Sequence, residues 1–343
     1  MAGTTIEPKG RIPLPKGSLR NLFFPPRKRE YEYFKGARDH PFTRGAEIVK
    51  AAWAADAALL CYARYGTRRM ADQEFQENLA RGGLTLRRKI GENPANWNAP
   101  GTQAFFATGD GFAFLAFRGT EVDDPRDKLA DLDFLLVHER DYRSSPPTSF
   151  WHLPALGDLL SMPCLVHRGF QGALDRVWDQ VLVELTRYRR ENPEGEICLT
   201  GHSLGGALAL LTYSRLSDPN VAAYTFGCPR VGDVAFRDRV MTSRGKGHFR
   251  CVNGNDLVAH VPLESALYVH APERCYRFDD AGHLDGENEG ALAADLKVMG
   301  HAIHGLAADL GGNLRNLDKL PAPPGAVDHS PARYCIRLWN CVG

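Results

Sequence analysis

The 343-residue chain has no run of 18 or more apolar residues, the length a membrane-spanning helix needs. Its start, Met1 to Arg11, lacks the apolar stretch of a secretory leader. These two absences give the expectation of a cytoplasmic protein, with export by another route or a removed leader as the open alternatives. Charge of one sign is also lacking. The 42 Lys and Arg face 41 Asp and Glu, a formal charge of +1, which argues against a basic nucleic-acid-binding domain. The eight cysteines (Cys61, Cys164, Cys198, Cys228, Cys251, Cys275, Cys335, Cys341) include no C-x-x-C pair. Several lie in apolar runs, so they read as reduced core thiols rather than a disulfide framework or a zinc site. No internal repeat is present.

What is there is an ordinary globular composition, 43% hydrophobic and 24% charged. The charge is unevenly placed: residues 1–40 hold nine Lys/Arg and four Asp/Glu, a balance of +5 that leaves −4 for the rest. Five prolines (Pro8, Pro13, Pro15, Pro25, Pro26) and no periodicity accompany it, so 1–40 reads as an extended basic arm and 41–343 as a single domain. Arg27-Lys28-Arg29 beside Phe23 and Phe24 reads as a solvated strap or as an attraction for anionic lipid headgroups.

Periodicity supplies the architecture. Apolar residues at helical spacing predict an amphipathic helix over 45–64, despite Asp56 near the same face. Gln103–Thr108 and Phe112–Phe117 flank Gly109-Asp110-Gly111 and predict a hairpin. Strand and helix then alternate: helix 174–188, strand 197–200, helix 204–216, strand 222–226 and strand 249–252. Such alternation implies an α/β fold around a largely parallel sheet. Two irregular segments, about 138–163 and 279–327, read as insertions on this scaffold, the second around a possible helix at 291–309.

Gly201-His202-Ser203-Leu204-Gly205 has the form G-x-S-x-G between a strand run and a helical run. A serine on a sharp strand-to-helix turn needs small neighbours, because its backbone is strained and adjacent β-carbons would collide. The same pattern also arises as an ordinary glycine turn, and the strand-turn-helix context favours a nucleophile.

From Thr200 to Ala209 the segment TGHSLGGALA resembles the nucleophile segment of the class 3 lipases, an α/β-hydrolase family of fungal-type triacylglycerol lipases. Four further stretches agree in order: Phe117–Thr120, Val166–Phe170 with Ala173-Leu174, Tyr224–Asp233, and Arg250–Val258. The resemblance covers about residues 45–335 and is strongest over 112–262. It implies an α/β-hydrolase fold, a mostly parallel central sheet flanked by helices, with 138–163 in the position of a lid.

In that fold the acid follows the nucleophile and the histidine comes last. Asp256 follows the strand run 249–252 and matches the family's V-N-x-x-D segment, although an Asp in Asn253-Gly254-Asn255-Asp256 also suits a plain turn. Six histidines come after it: His260, His270, His283, His301, His304 and His329. Asp328-His329-Ser330 with Tyr334 resembles the family's D-H-S…Y segment, which implies His329 as the base. The resemblance also implies Thr120 as one oxyanion donor, beside Leu204, the residue after the nucleophile. The expected triad is therefore Ser203, Asp256 and His329, with no metal or organic cofactor.

One departure stands out: Lys128 occupies the place where the family usually carries a Trp, which suggests a more polar or anionic substrate surface. The expected function is hydrolysis of lipid carboxylic esters, triacylglycerol first, with the 138–163 segment either a lid that opens at a lipid–water interface or a fixed insertion that narrows the pocket. Phospholipase A or a broad esterase are neighbouring alternatives, and a silent lipid- or protein-binding hydrolase fold is the alternative of another class. Nothing in the sequence sets the oligomeric state.

Overall fold

The computed structural model describes residues 12–14, 31–62, 70–93, 101–119, 136–139, 164–243, 245–265, 267–271, 274–278, 284–285 and 324–342. The strands are β1 (Thr85–Gly91), β2 (Gln103–Thr108), β3 (Phe112–Phe117), β4 (Leu136–His138), β5 (Leu165–His167), β6 (Glu196–His202), β7 (Val221–Phe226), β8 (Gly247–Asn253), β9 (Arg274–Phe278) and β10 (Leu284–Asp285). The helices are α1 (Glu47–Leu60), α2 (Asp72–Arg81), α3 (Arg168–Asp175), α4 (Trp178–Glu191), α5 (Leu204–Arg215), α6 (Val234–Met241), α7 (Pro324–Asp328) and α8 (Pro331–Val342).

Strands covered on both faces need apolar side chains at every position, and β3 and β7 are buried throughout. Alternation deals those side chains to two cores. Phe112, Phe114 and Ala116 enter one core with α1 and α8. Ala113, Leu115 and Phe117 enter the other with α4 and α5. The eight strands run in the order β1-β2-β3-β6-β7-β8-β9-β10. From β3 to β9 every pairing is parallel; β1-β2, β2-β3 and β9-β10 are antiparallel. This is the mostly parallel sheet between helical layers expected of an α/β-hydrolase. β4 and β5 form a separate antiparallel ribbon at the ends of the 138–163 segment, of which residues 140–163 lie outside the described residues.

The predicted hairpin falls on β2 and β3 with the bounds read from sequence. The predicted helix 174–188 is instead two helices, because Val177 (φ −120°, ψ 1°) leaves the helical region between α3 and α4. The predicted helix at 291–309, the Arg27–Arg29 cluster and Lys128 lie outside the described residues.

The basic arm was expected to run through residue 40, yet Tyr31, Tyr33, Phe34 and Ala37 are buried in the core shared with α1 and α8. The reason is Asp56, fully buried on α1. Its carboxylate accepts from the Tyr31 hydroxyl, from Phe34 N–H at 2.7 Å and from Trp339 Nε1 on α8 at 2.8 Å. One carboxylate thus joins the incoming chain, the first helix and the last. Ile12 adds a clasp: its N–H and C=O pair with the Asn340 side chain at 2.8 and 3.0 Å.

Burial pushes the Asp56 carboxyl up from 3.8 to about 7, against the lowering influence of the bonds from Tyr31, Phe34, Trp339 and Cys335. The folded chain then holds this proton more tightly than the unfolded chain, so the stability it confers falls as pH rises through the window from 3.8 to about 7. Wild type measured against Asp56→Asn in urea should lose about 3 kcal/mol of relative stability between pH 5 and pH 8. A gap that stays constant across that range would contradict the assignment.

Candidate active site

Strand β6 ends at His202, and α5 begins at Leu204. Between them Ser203 has φ 58° and ψ −128°, a left-handed-side conformation that a residue with a β-carbon rarely adopts. Contacts hold it there. The Ser203 N–H donates to Phe226 O at 2.9 Å, at the end of neighbouring β7. A β-carbon on Gly201 would run into the backbone of Gly205, and one on Gly205 into the backbone of Phe117 and Arg118. The elbow therefore closes only with glycine at both flanks. The Leu204 N–H is among the leading amides of α5, which have no acceptor within the helix.

Asp256 lies three residues beyond β8 and is fully buried. His329 stands between α7 and α8. The tertiary structure brings these two residues together: His329 Nδ1 is 2.9 Å from both Asp256 carboxylate oxygens. The Tyr334 hydroxyl, from the first turn of α8, donates to Asp256 Oδ2 at 2.6 Å and accepts from Asn253 N–H at 3.0 Å. The Asp256 Oδ1 also accepts from Val258 N–H at 2.9 Å. Burial alone would raise this carboxyl, but the charge of His329 and the bonds from His329 and Tyr334 outweigh it and hold Asp256 below its ordinary value. It is therefore a carboxylate, and it fixes the proton of its histidine on Nδ1, leaving Nε2 as the basic nitrogen.

The loop after Asp256 is pinned from beneath by two buried arginines. Arg230 Nη1 donates to His260 O at 2.9 Å and Pro262 O at 2.8 Å, and Arg250 Nη2 donates to Ala259 O at 2.9 Å. Gly227, directly after β7 and the Phe226 that receives Ser203, has φ 55°. A β-carbon there would sit 2.5 Å from Asp256 Oδ2 and 2.9 Å from His329 Nδ1. The same glycine therefore borders both the elbow and the acid–histidine pair.

Of the expected residues, Ser203, Leu204, Asp256 and His329 gather at the carboxyl ends of β6, β7 and β8. Thr120 lies outside the described residues. Gly119 before it packs against His202 O, so the chain reaches the elbow one residue short of it. Among the other histidines, His270 Nε2 faces Ala259 O at 2.8 Å and serves the loop, while His283, His301 and His304 lie outside the described residues. Sequence reading missed Gly227, Asn253 and the arginine pair as parts of the site. All four lie in the stretches 224–233 and 250–258 that carry the family resemblance, and Gly227 has the further local sign of a glycine immediately following a buried strand.

A nucleophile-type elbow on a parallel sheet, with an acid and a histidine from later loops in that chain order, defines the class as an α/β-hydrolase. Comparison with known proteins narrows it. Residues 114–266 match the family model for Lipase (class 3). The chain is 34% identical over 189 residues to a lipase from Rhizomucor miehei, covering 52% of this chain and 46% of that protein. It is 37% identical over 147 residues to the secreted mono- and diacylglycerol lipase A of Penicillium camembertii, covering 42% of this chain and 48% of the other. In fold it is similar to the crystal structure of a lipase from Rhizopus microsporus var. chinensis, with TM-score 0.53, 23% identity, and coverage of 74% of this chain and 82% of that one. Over residues 114–266 the chain is thus similar to the class 3 lipases, and the relatives that match it are lipases. It spans about half the length of the curated relatives it matches.

The comparisons also correct the cytoplasmic expectation: matching relatives from Penicillium camembertii and Malassezia globosa are named as secreted, which points outside the cell. That expectation rested on the lack of an apolar leader near Met1, and an absence of this kind holds no information about compartment. None of the eight cysteines is paired in a disulfide and six of them are buried, which reflects packing.

Gly227→Ala should strain a positive φ and wedge a methyl group against the acid–histidine pair. The expected cost is about 2 kcal/mol in urea unfolding, with esterase activity falling further than the loss of folded protein explains. An unchanged midpoint and unchanged activity would show that the site tolerates the methyl group.

Proposed function

We propose that this protein hydrolyses lipid carboxylic esters, triacylglycerol first among them, through a serine acyl-enzyme. The observation that carries the reading is Ser203 at φ 58° on the elbow, together with a buried His329 that Asp256 holds through Nδ1.

In this reading Ser203 Oγ attacks the ester carbonyl carbon while His329 Nε2 takes the hydroxyl proton. Asp256 holds the imidazole in its orientation and stabilises the imidazolium that forms. The negative charge passes to the carbonyl oxygen, where the amides of Leu204 and Thr120 are the proposed donors. Collapse of the tetrahedral intermediate expels the alcohol, which receives the proton from His329. Water then enters by the same route: His329 removes its proton, the acyl–Ser203 bond breaks, and the fatty acid leaves. The water oxygen bonds to the acyl carbon, and the proton that His329 took from it passes to Ser203 Oγ as the acyl–oxygen bond breaks; the serine thus gives one proton to the alcohol and regains one from water, through these side chains, two amides and water.

The names of the matching Penicillium and Malassezia relatives favour a second reading within the same chemistry, in which partial glycerides are preferred. Rates on emulsified mono-, di- and triacylglycerol of matched acyl length decide between the two.

The purified protein should turn over p-nitrophenyl butyrate and palmitate, and Ser203→Ala should reduce this at least about 1000-fold with the fold intact by circular dichroism. Activity retained in Ser203→Ala would overturn the serine mechanism. Asp256→Asn should lower kcat by about 1000-fold with KM changed less than about threefold, because the acid acts on the histidine and not on the ester. A change confined to KM would place Asp256 in substrate binding instead.

A further inference from the structure

Two buried polar side chains beside the elbow have no task in the ester chemistry. Tyr62, just past α1, has its hydroxyl 2.9 Å from His202 Nδ1. On the other side of that ring, His202 Nε2 is 2.7 Å from the main-chain oxygen of His329. A carbonyl oxygen only accepts, so Nε2 carries the proton; Nδ1 is then the acceptor, and the Tyr62 hydroxyl donates to it. This assignment needs a neutral ring. Burial, and then the neighbouring His329, hold His202 well below the ordinary histidine range. The two imidazoles are close, with centroids 4.3 Å apart.

The Tyr62 hydroxyl also packs against Gly119, so closely that a β-carbon there would overlap it, and that β-carbon would lie 2.6 Å from His202 O. Gly119 leads directly into Thr120. A single hydroxyl therefore touches the approach to the proposed oxyanion donor and, through His202, the main chain of the proposed base. Tyr62 and His202 are 2% exposed or less, so water does not compete for these bonds.

We propose that Tyr62 and His202 are positioning residues that hold the His329 main chain and the main chain at Gly119 in register about Ser203. The inference rests on the serine acyl-enzyme reading above. Asp256 fixes where the imidazole points, through Nδ1; His202 fixes where its backbone stands, through the carbonyl. Both constraints are needed to keep Nε2 within proton-transfer reach of Ser203, where a displacement near 1 Å costs up to about 100-fold in rate. Neither Tyr62 nor His202 touches the ester, so their effect falls on kcat and not on KM.

The test is a double-mutant cycle on p-nitrophenyl butyrate, with wild type and Ser203→Ala as controls and urea midpoints for every variant. Tyr62→Phe deletes one oxygen and should lower kcat about 10-fold, with KM within about twofold. His202→Leu should lower kcat about 100-fold, and the double variant should lose clearly less than the product of the two single losses, because Tyr62 acts partly through the ring. His202→Gln, whose amide N–H can reach the His329 carbonyl, should recover activity to within about fivefold of wild type. The rate at which an activated fluorophosphonate labels Ser203 should follow the same order, which reads the nucleophile apart from ester preference. Multiplicative losses in the double variant, Tyr62→Phe at wild-type kcat, or losses that merely track the folded fraction would each overturn the proposal. Full activity in Ser203→Ala would instead remove the acyl-enzyme reading, and the positioning role with it.

Discussion

Ser203 is the strained point on which the rest of the site depends. A φ of 58° on a residue with a β-carbon costs on the order of 1–3 kcal/mol and persists only where the surroundings over-determine it. Here they do. The strand before it is hydrogen-bonded on both sides, to β3 and β7, and the helix after it is buried nearly throughout. Its own N–H is bound to Phe226, and glycines 201 and 205 let the turn close against the end of β3. The reversal sets the serine at the strand-to-helix turn, directly ahead of the leading amides of α5. The sheet and the two cores therefore determine the geometry at a single oxygen atom.

The acid–histidine pair solves a different problem, that of keeping a charge inside the protein. A fully buried carboxylate is costly unless its lone pairs are occupied, and Asp256 receives His329, Tyr334 and the Val258 amide. Asp56 shows the opposite balance. It too receives hydrogen bonds, from Tyr31, Phe34, Trp339 and Cys335, but desolvation prevails there and its proton is held to about pH 7. The difference is a cationic partner: His329 can carry a charge beside Asp256, whereas Tyr31, Phe34 and Trp339 offer Asp56 only neutral donors.

Helix α8 connects these two carboxylates. Tyr334 in its first turn supports Asp256, and Trp339 near its other end binds Asp56. Asp56 in turn holds Tyr31 and Phe34, so the two ends of the described chain meet across α1, on the core face beneath the site. His329 enters just ahead of α8, which makes the seating of this helix a condition for the position of the imidazole. The segment 31–40 looked like part of a solvated arm because its charges and lack of period conceal three aromatic residues that only a distant carboxylate makes useful.

Sequence alone determined whatever depends on neighbours a few residues away. Alternating apolar runs around Gly109–Gly111 defined the β2–β3 hairpin, and small residues flanking a serine between strand and helix patterns marked the elbow. Chain order and motif likeness singled out Asp256 and His329. The break at Val177 escaped the pattern because both halves carry the same helical spacing, and the turn is made by backbone angles that composition does not encode. Only the tertiary structure decided which buried polar groups pair: Asp256 with Tyr334, 78 residues apart, Tyr62 with His202, 140 apart, and Asp56 with Trp339, 283 apart. Local periodicity records which face of an element avoids water. The pairing of buried polar groups is settled by the packing of the whole chain, because each must find a partner wherever the fold removes it from solvent.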